Sequence, residues 1–288
     1  MKEYIFYTIL LVILFQLSSC NDEESYYEGY EQKFIIDGKI ENNQFPKVYL
    51  TRNVPYYVNI DSSDLYNLVL KQANIKVTDE TDNVSEVLTL KLNKEEFPYY
   101  YYEADVLKGK AGHSYKLQVE HGGNFLYAHT TIPNPVKLDS VWFQPNNPTD
   151  SLGKIHATLT DAPETNYYRT YTKIKHQQTQ YYPTMVSNFD DKLFNGTTYT
   201  FVLNKGPETF LSIEDAGFYF KKGDTISFKI STVDKQTHEF WKSYQYEVAN
   251  GANPFASSYH KIESNIEGQG EGIWAGYGST VYTVIAKK

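Results

Sequence analysis

Residues 114–120 read Ser-Tyr-Lys-Leu-Gln-Val-Glu, Gly122-Gly123 follow, and residues 125–132 read Phe-Leu-Tyr-Ala-His-Thr-Thr-Ile. This stretch decides the fold. Side chains alternate with period two along an extended chain, so Tyr115, Leu117 and Val119 share one face. Two glycines supply a tight turn, because glycine adopts positive φ without steric cost. The stretch is therefore a β-hairpin with one apolar face. The chain as a whole is 41% hydrophobic, with 27 tyrosines and 16 phenylalanines, a composition that favours strands.

The same alternation recurs toward the N-terminus. Phe34 to Ile40 (FIIDGKI) opens the fold, and Lys47 to Thr51 (KVYLT) follows. Val54 to Asn67 is a Tyr-, Asn- and Ser-rich excursion, either a loop or an added edge hairpin. Asn74 to Thr78 and Val87 to Leu92 read as a hairpin around the turn residues Asp79 to Asn83. Tyr99 to Ala104 adds one more strand. About seven short strands in roughly 100 residues predict an immunoglobulin-like β-sandwich over residues 34–135. Pro133-Asn134-Pro135 ends it, since two prolines in three residues cannot continue a sheet ladder.

Residues 136–288 predict a second, β-rich domain. Its strands are Asp139 to Phe143, Lys154 to Thr160, Tyr167 to Lys175, Thr198 to Asn204, Thr225 to Val233 and Thr280 to Ala286. The second and third of these are expected to pair as a hairpin. Gln177 to Phe194 reads as irregular, and Ser264 to Gly278 is Gly-rich, with Trp274 and Tyr277. Asp234 to Val248 breaks the pattern. Asp234 can cap a helix, Phe240, Tyr244 and Val248 recur at i, i+4 and i+8 with Trp241 beside them, and Asn250-Gly251 supplies a stop. The expected class is thus mostly all-β, an immunoglobulin-like sandwich followed by a β-rich domain with one helix near 234–249.

The N-terminus carries a different signal. Lys2 precedes an almost wholly apolar run from Ile5 to Leu17, and Ser18-Ser19-Cys20 follows. The run is shorter than the roughly 20 residues a membrane span needs. It reads as a lipoprotein signal peptide over residues 1–19, cut before Cys20, whose thiol would carry the lipid. Two acyl chains would anchor stably, each buried methylene contributing about 0.8 kcal/mol. Cys20 is the chain's one cysteine, so no intramolecular disulfide can form. Residues 20–33 are an acidic tether. The net charge of −8 and the pI near 5.4 argue against nucleic acid as a partner.

Several blocks taken together resemble a known family. They are Phe34-Ile35-Ile36-Asp37-Gly38, Gly112-His113-Ser114-Tyr115-Lys116-Leu117, Ile132-Pro133 with Asp139-Ser140-Val141, Asp190-Asp191-Lys192-Leu193-Phe194-Asn195-Gly196, Lys222-Gly223-Asp224-Thr225, Asn253-Pro254-Phe255, and Ser264-Asn265-Ile266 with the glycines after it. Their order and spacing are similar to a Bacteroidota lipoprotein family, domain of unknown function 4249, over nearly all of the mature chain. Gly272-Ile273-Trp274 departs from the Gly-x-Phe that members often show. The resemblance implies an outer-membrane lipoprotein with an immunoglobulin-like N-terminal domain and a TonB-dependent transporter as partner. It brings no catalytic residues. Asp22, Glu23 and Glu24, directly after the cysteine, resemble the acidic signal that sends such lipoproteins to the cell exterior.

Candidate chemistry is sparse. His113, His121 and His129 are spaced by eight, looser than metal motifs, and a hairpin could bring two of them together. Asp190-Asp191 with Asn195-Gly196 offers oxygens but lacks a calcium-loop spacing. No metal and no cofactor is assigned. Tyr99, Tyr100, Tyr101 and Tyr102, and then Tyr181 and Tyr182, are the aromatic clusters. Alternation sends the first four two to each face of a strand, to serve as strand filling or as a contact surface for a small ligand or a protein. Asp139-Ser140-Val141, Asp150-Ser151-Leu152 and Asp224-Thr225-Ile226 match a short O-glycosylation pattern, with Ser151 favoured because it lies in an expected loop. The expected function is a non-enzymatic accessory or binding lipoprotein of the outer membrane. The alternatives are a glycan- or peptide-acting hydrolase and a structural or adhesion protein.

Overall fold

The computed structural model describes residues 31–54, 68–95, 97–206, 218–251 and 261–287. Cys20, Asp22, Glu23, Glu24, most of the excursion after Val54 and the Asn253-Pro254-Phe255 block lie outside them. In the first half the strands are β1 (Phe34–Glu41), β2 (Lys47–Arg52), β3 (Asn74–Asp79), β4 (Val84–Val87), β5 (Thr89–Leu92), β6 (Tyr100–Glu103), β7 (Ser114–His121) and β8 (Asn124–Thr131). The second half has β9 (Ser140–Pro145), β10 (Leu152–Thr160), β11 (Tyr167–Ile174), β12 (Tyr182–Asp190), β13 (Thr198–Leu203), β14 (Phe220–Lys221), β15 (Thr225–Val233), helix α1 (Lys235–Gly251) and β16 (Gly270–Ile285). Among the described residues no helix is long and apolar enough to cross a membrane.

An eight-stranded sheet, in the order β12-β11-β15-β16-β1-β2-β6-β5, underlies both halves. One of its faces packs against two smaller sheets. The first is β4-β3-β7-β8, and residues 114–131 form its hairpin with Ser114 opposite Thr131 and His121 opposite Asn124. Between that sheet and β1, β2 and β6 lies a core of Ile36, Ile40, Val48, Leu50 and Tyr102 against Ile75, Val77, Tyr115, Leu117 and Leu126. This half is the immunoglobulin-like sandwich. The second small sheet holds β13, β10, β14 and β9, and closes a core of Ile155, Leu159, Phe201, Tyr168, Phe228 and Ile230.

The halves meet in one strand. β16 pairs antiparallel with β15 and parallel with β1, with Phe34 opposite Gly270 and Glu41 opposite Tyr277. Trp274, fully buried in the first core, donates its indole N–H to the Tyr115 carbonyl at 3.1 Å. The chain changes partner sheets between β8 and β9, while the C-terminal strand serves both cores.

Three expectations are corrected. β10 and β11 are not a hairpin: β10 pairs with β9, β13 and β14, and β11 with β12 and β15. Both alternate in the same way, so the pattern gave each a buried face without naming its neighbour. Residues 87–92 are not one strand. Val84–Val87 pairs with β3, the chain bends at buried Leu88, and Thr89–Leu92 crosses to pair with β6. Finally, residues 182–190, read as irregular, are strand β12, and the Gly-rich residues 270–278, assigned no strand, open β16.

Helix α1 starts as expected. The Thr237 amide donates to Asp234 Oδ1 at 2.8 Å, while Asp234 Oδ2 accepts the Thr130 hydroxyl at 3.0 Å and so ties the cap to β8. Phe240 and Trp241 lay the helix over Val233, Ile273, Ala275 and Tyr277, on the sheet face opposite the two larger cores.

Candidate functional site

That opposite face is where chemistry collects. Along β1, Ile36, Gly38 and Ile40 are buried, which leaves Asp37, Lys39 and Glu41 on the other side. Register extends the row. Tyr49 lies opposite Asp37 and Lys47 opposite Lys39, and the Tyr101 ring sits 5.9 Å from Tyr49 with Lys47 Nζ 4.1 Å from its centre. On the other flank Glu41 lies beside Tyr277 and holds Lys229 Nζ at 3.0 Å. Lys229 also lies 4.9 Å from the Tyr171 ring and 4.8 Å from the Tyr181 ring. Arg169 stacks on Trp241 at 3.7 Å, and the Trp241 indole N–H donates to the Tyr277 hydroxyl at 3.0 Å. Six neighbouring strands, from β6 to β11, contribute to this charged and aromatic surface.

Its electrostatics follow from crowding. Asp37 keeps contact with solvent, yet the protein massed around it desolvates the carboxyl and raises its pKa, against the pull of Lys39 and Arg169. Burial raises Tyr171, and raises Tyr277 well above the ordinary phenol value, with Tyr171 adding to the second shift. Both hydroxyls therefore stay protonated at neutral pH and can donate.

The tyrosine clusters divide. Tyr101 and Tyr181 reach this face, and the Tyr181 hydroxyl bonds Ser227 Oγ at 2.7 Å. Tyr102 is core: its hydroxyl donates to the Leu70 carbonyl at 2.7 Å and accepts the Ala73 amide at 3.0 Å. Tyr100 lies under Lys71, and Tyr99 packs edge-on to Phe97. Tyr182 sits on β12 opposite Thr172. Ser151 is exposed, and Asp150 caps the next amide, that of Leu152, at 2.8 Å. Asp37, Tyr49, Arg169 and Tyr277 were missed by sequence reasoning. The available signal was a charge at every second position of β1 and an arginine inside an aromatic strand.

The histidines do not gather. His121 meets the Gln72 carbonyl at 3.2 Å and His129 meets Glu80 at 3.1 Å. His113 instead joins Asp79 and Asp82, with one ligand atom from each within 4.8 Å of the others. These three residues could hold a cation. They are already satisfied by protein, however. Asp79 Oδ1 accepts the Thr81 and Asp82 amides at 3.0 and 3.2 Å, Asp79 Oδ2 lies 2.9 Å from His113 Nδ1, and Asp82 is paired with Lys110 at 2.5 Å. The group closes the β3–β4 turn. Asp190 is paired with Lys192 at 2.6 Å, and Asp191 is buried, accepting the Asn166 amide at 2.5 Å.

No curated protein matches the chain. Among solved structures, the chicken interferon gamma receptor alpha chain is similar at 9% identity, over 70% of this chain and 89% of that one, with a TM-score of 0.19. A Salmonella alpha-2-macroglobulin reacted with methylamine is similar at 8% identity, over 90% of this chain and 15% of that one, with a TM-score of 0.22. A family model matches residues 21–283, and by that match the chain belongs to the family described as Domain of unknown function (DUF4249).

Proposed function

We propose that the protein is a surface-exposed outer-membrane lipoprotein and a non-enzymatic binding or accessory subunit, working with a TonB-dependent transporter in nutrient uptake. The observation that carries the binding role is the face built from Tyr49, Tyr101, Asp37, Lys39, Arg169, Tyr171 and Tyr277. Rigid rings interleaved with both signs of charge make a recognition surface. The lipobox at Leu17-Ser18-Ser19-Cys20 and the acidic residues after it support the anchor and its outward placement. A glycosidase would canonically need two carboxylates roughly 5–9.5 Å apart across a bond. Asp37 and Glu41 are four residues apart on one strand, roughly 13 Å at 3.3 Å per residue, and Glu41 is engaged by Lys229. That spacing favours binding over paired acid–base chemistry.

Cys20→Ala should abolish fatty-acid labelling and outer-membrane fractionation. Replacing Asp22, Glu23 and Glu24 by Ala should keep the lipid but remove sensitivity to protease added outside intact cells. Persistent labelling of the first variant overturns the anchor, and unchanged protease sensitivity of the second overturns the acidic signal.

A further inference from the structure

Arg169 is the least satisfied charged group on the candidate face. Its side chain is 2% exposed, yet Nε and Nη1 are buried without a hydrogen-bond acceptor. Buried donors nearly always have partners, and an ionised one left unmet is the costliest kind. The rings of Trp241 and Tyr171, at 3.7 and 5.1 Å, hold the guanidinium by cation–π attraction. They offer its edges nothing to donate to. Both rings are only half-buried, while the guanidinium beside them is covered. Lys229, the other cation beside Tyr171, is already taken by Glu41.

We infer that this face binds a small organic ligand through a carboxylate seated on Arg169, with the apolar part of the ligand against Trp241 and Tyr171. A guanidinium presents coplanar N–H donors that match a planar carboxylate. Charge selects a monoanion over a phosphate. Asp37 and Glu41 act on the groups beside the guanidinium and disfavour a dianion more than a monoanion, although Lys39, Lys47 and Lys229 lie on the same face. The inference rests on reading the chain as a binding subunit and names the class of ligand.

The test is calorimetric titration of the detergent-solubilised full chain with benzoate, benzamide and inorganic phosphate. Benzoate should bind saturably at one site, benzamide roughly tenfold more weakly or worse, and phosphate no better than benzamide. Arg169→Lys should lose roughly tenfold in benzoate affinity, because lysine cannot form the fork. Asp37 is exposed, so Asp37→Asn should fold normally and, by removing a like charge, bind benzoate roughly three- to tenfold more tightly. No benzoate heat, equal binding of benzamide, tighter binding of phosphate, or an Asp37→Asn affinity that is unchanged or weaker would each overturn the inference. Titration is independent of anchoring. A lost site in a chain that still labels and fractionates sinks this inference alone, whereas a mislocalised chain that still binds benzoate sinks only the lipoprotein reading.

Discussion

At Gly276 the chain has no room for a methyl group. A Cβ there would lie 2.2 Å from the Thr131 carbonyl oxygen, and one at Gly278 would lie 2.0 Å from that of Pro133. Both obstacles are backbone, so neither can turn aside. Gly276→Ala should destabilise by about 1–3 kcal/mol, or more if β16 must shift. Chemical denaturation should show a lower midpoint, and a wild-type midpoint would mean that the segment before the prolines can move away. Asp79 makes a prediction in pH. Burial pushes its carboxyl up, but the Asp82 amide, the His113 ring and the Thr81 amide outweigh this and hold its pKa below the ordinary 3.8. A carboxyl with a depressed native pKa stabilises the fold above its unfolded pKa, and that contribution is lost as pH falls through the native value. Asp79→Asn should therefore be less stable than wild type at neutral pH, and the difference should shrink below pH 3.8. Melting curves across that range check it, and a pH-independent difference would count against the carboxylate's role.

Helix α1 is the element on which scaffold and site depend together. Phe240 is 8% exposed and packs on Val233, Ile273, Ala275 and Tyr277, while its neighbour Trp241 forms the stack on Arg169. Phe240→Ala should cost about 3–5 kcal/mol, the range for truncating a buried Phe. Because Ile273 and Ala275 belong to β16, the loss should reach both halves. Scanning calorimetry should record one transition at lower temperature, and two transitions with the first half unmoved would show the cores to be independent. Much of this element was legible. The Asp234 cap and the aromatic pair Phe240-Trp241 are local signals written in adjacent residues, whereas Tyr244 of the same stripe is exposed and the helix runs through Gly251. What α1 covers was not legible, because packing partners 30 residues away leave no periodic trace near the helix.

Across the whole molecule, alternation exposed most strands but not β12, β14 or the first half of β16, and the pairing of distant strands stayed hidden. Residues 264–278 were assigned no strand, because glycine is depleted in strands. In the fold Gly276 and Gly278 let residues 131–134 cross close over β16. The candidate face was half visible for the same reason: Tyr101 and Tyr181 stand in conspicuous clusters, whereas Arg169 and Asp37 matter only through strands that sequence distance separates. Removing residues 270–288 should leave no protected fragment on limited proteolysis, since both cores lose β16. A stable fragment spanning 34–132 would show that the first sandwich closes without it.

The parallel pairing of β1 with β16 also sets a timetable for synthesis. Gly270 is translated 236 residues after Phe34, the residue it pairs with. At roughly 5–20 residues per second the ribosome needs on the order of ten to fifty seconds to cover that distance. Throughout that interval one side of β1 carries open N–H and C=O groups with only β2 to shield the other. An unpaired strand edge is a template for joining other chains. Stalled or shortened messages should therefore yield a chain that seeks a substitute for its own last strand, rather than a protein with one finished domain.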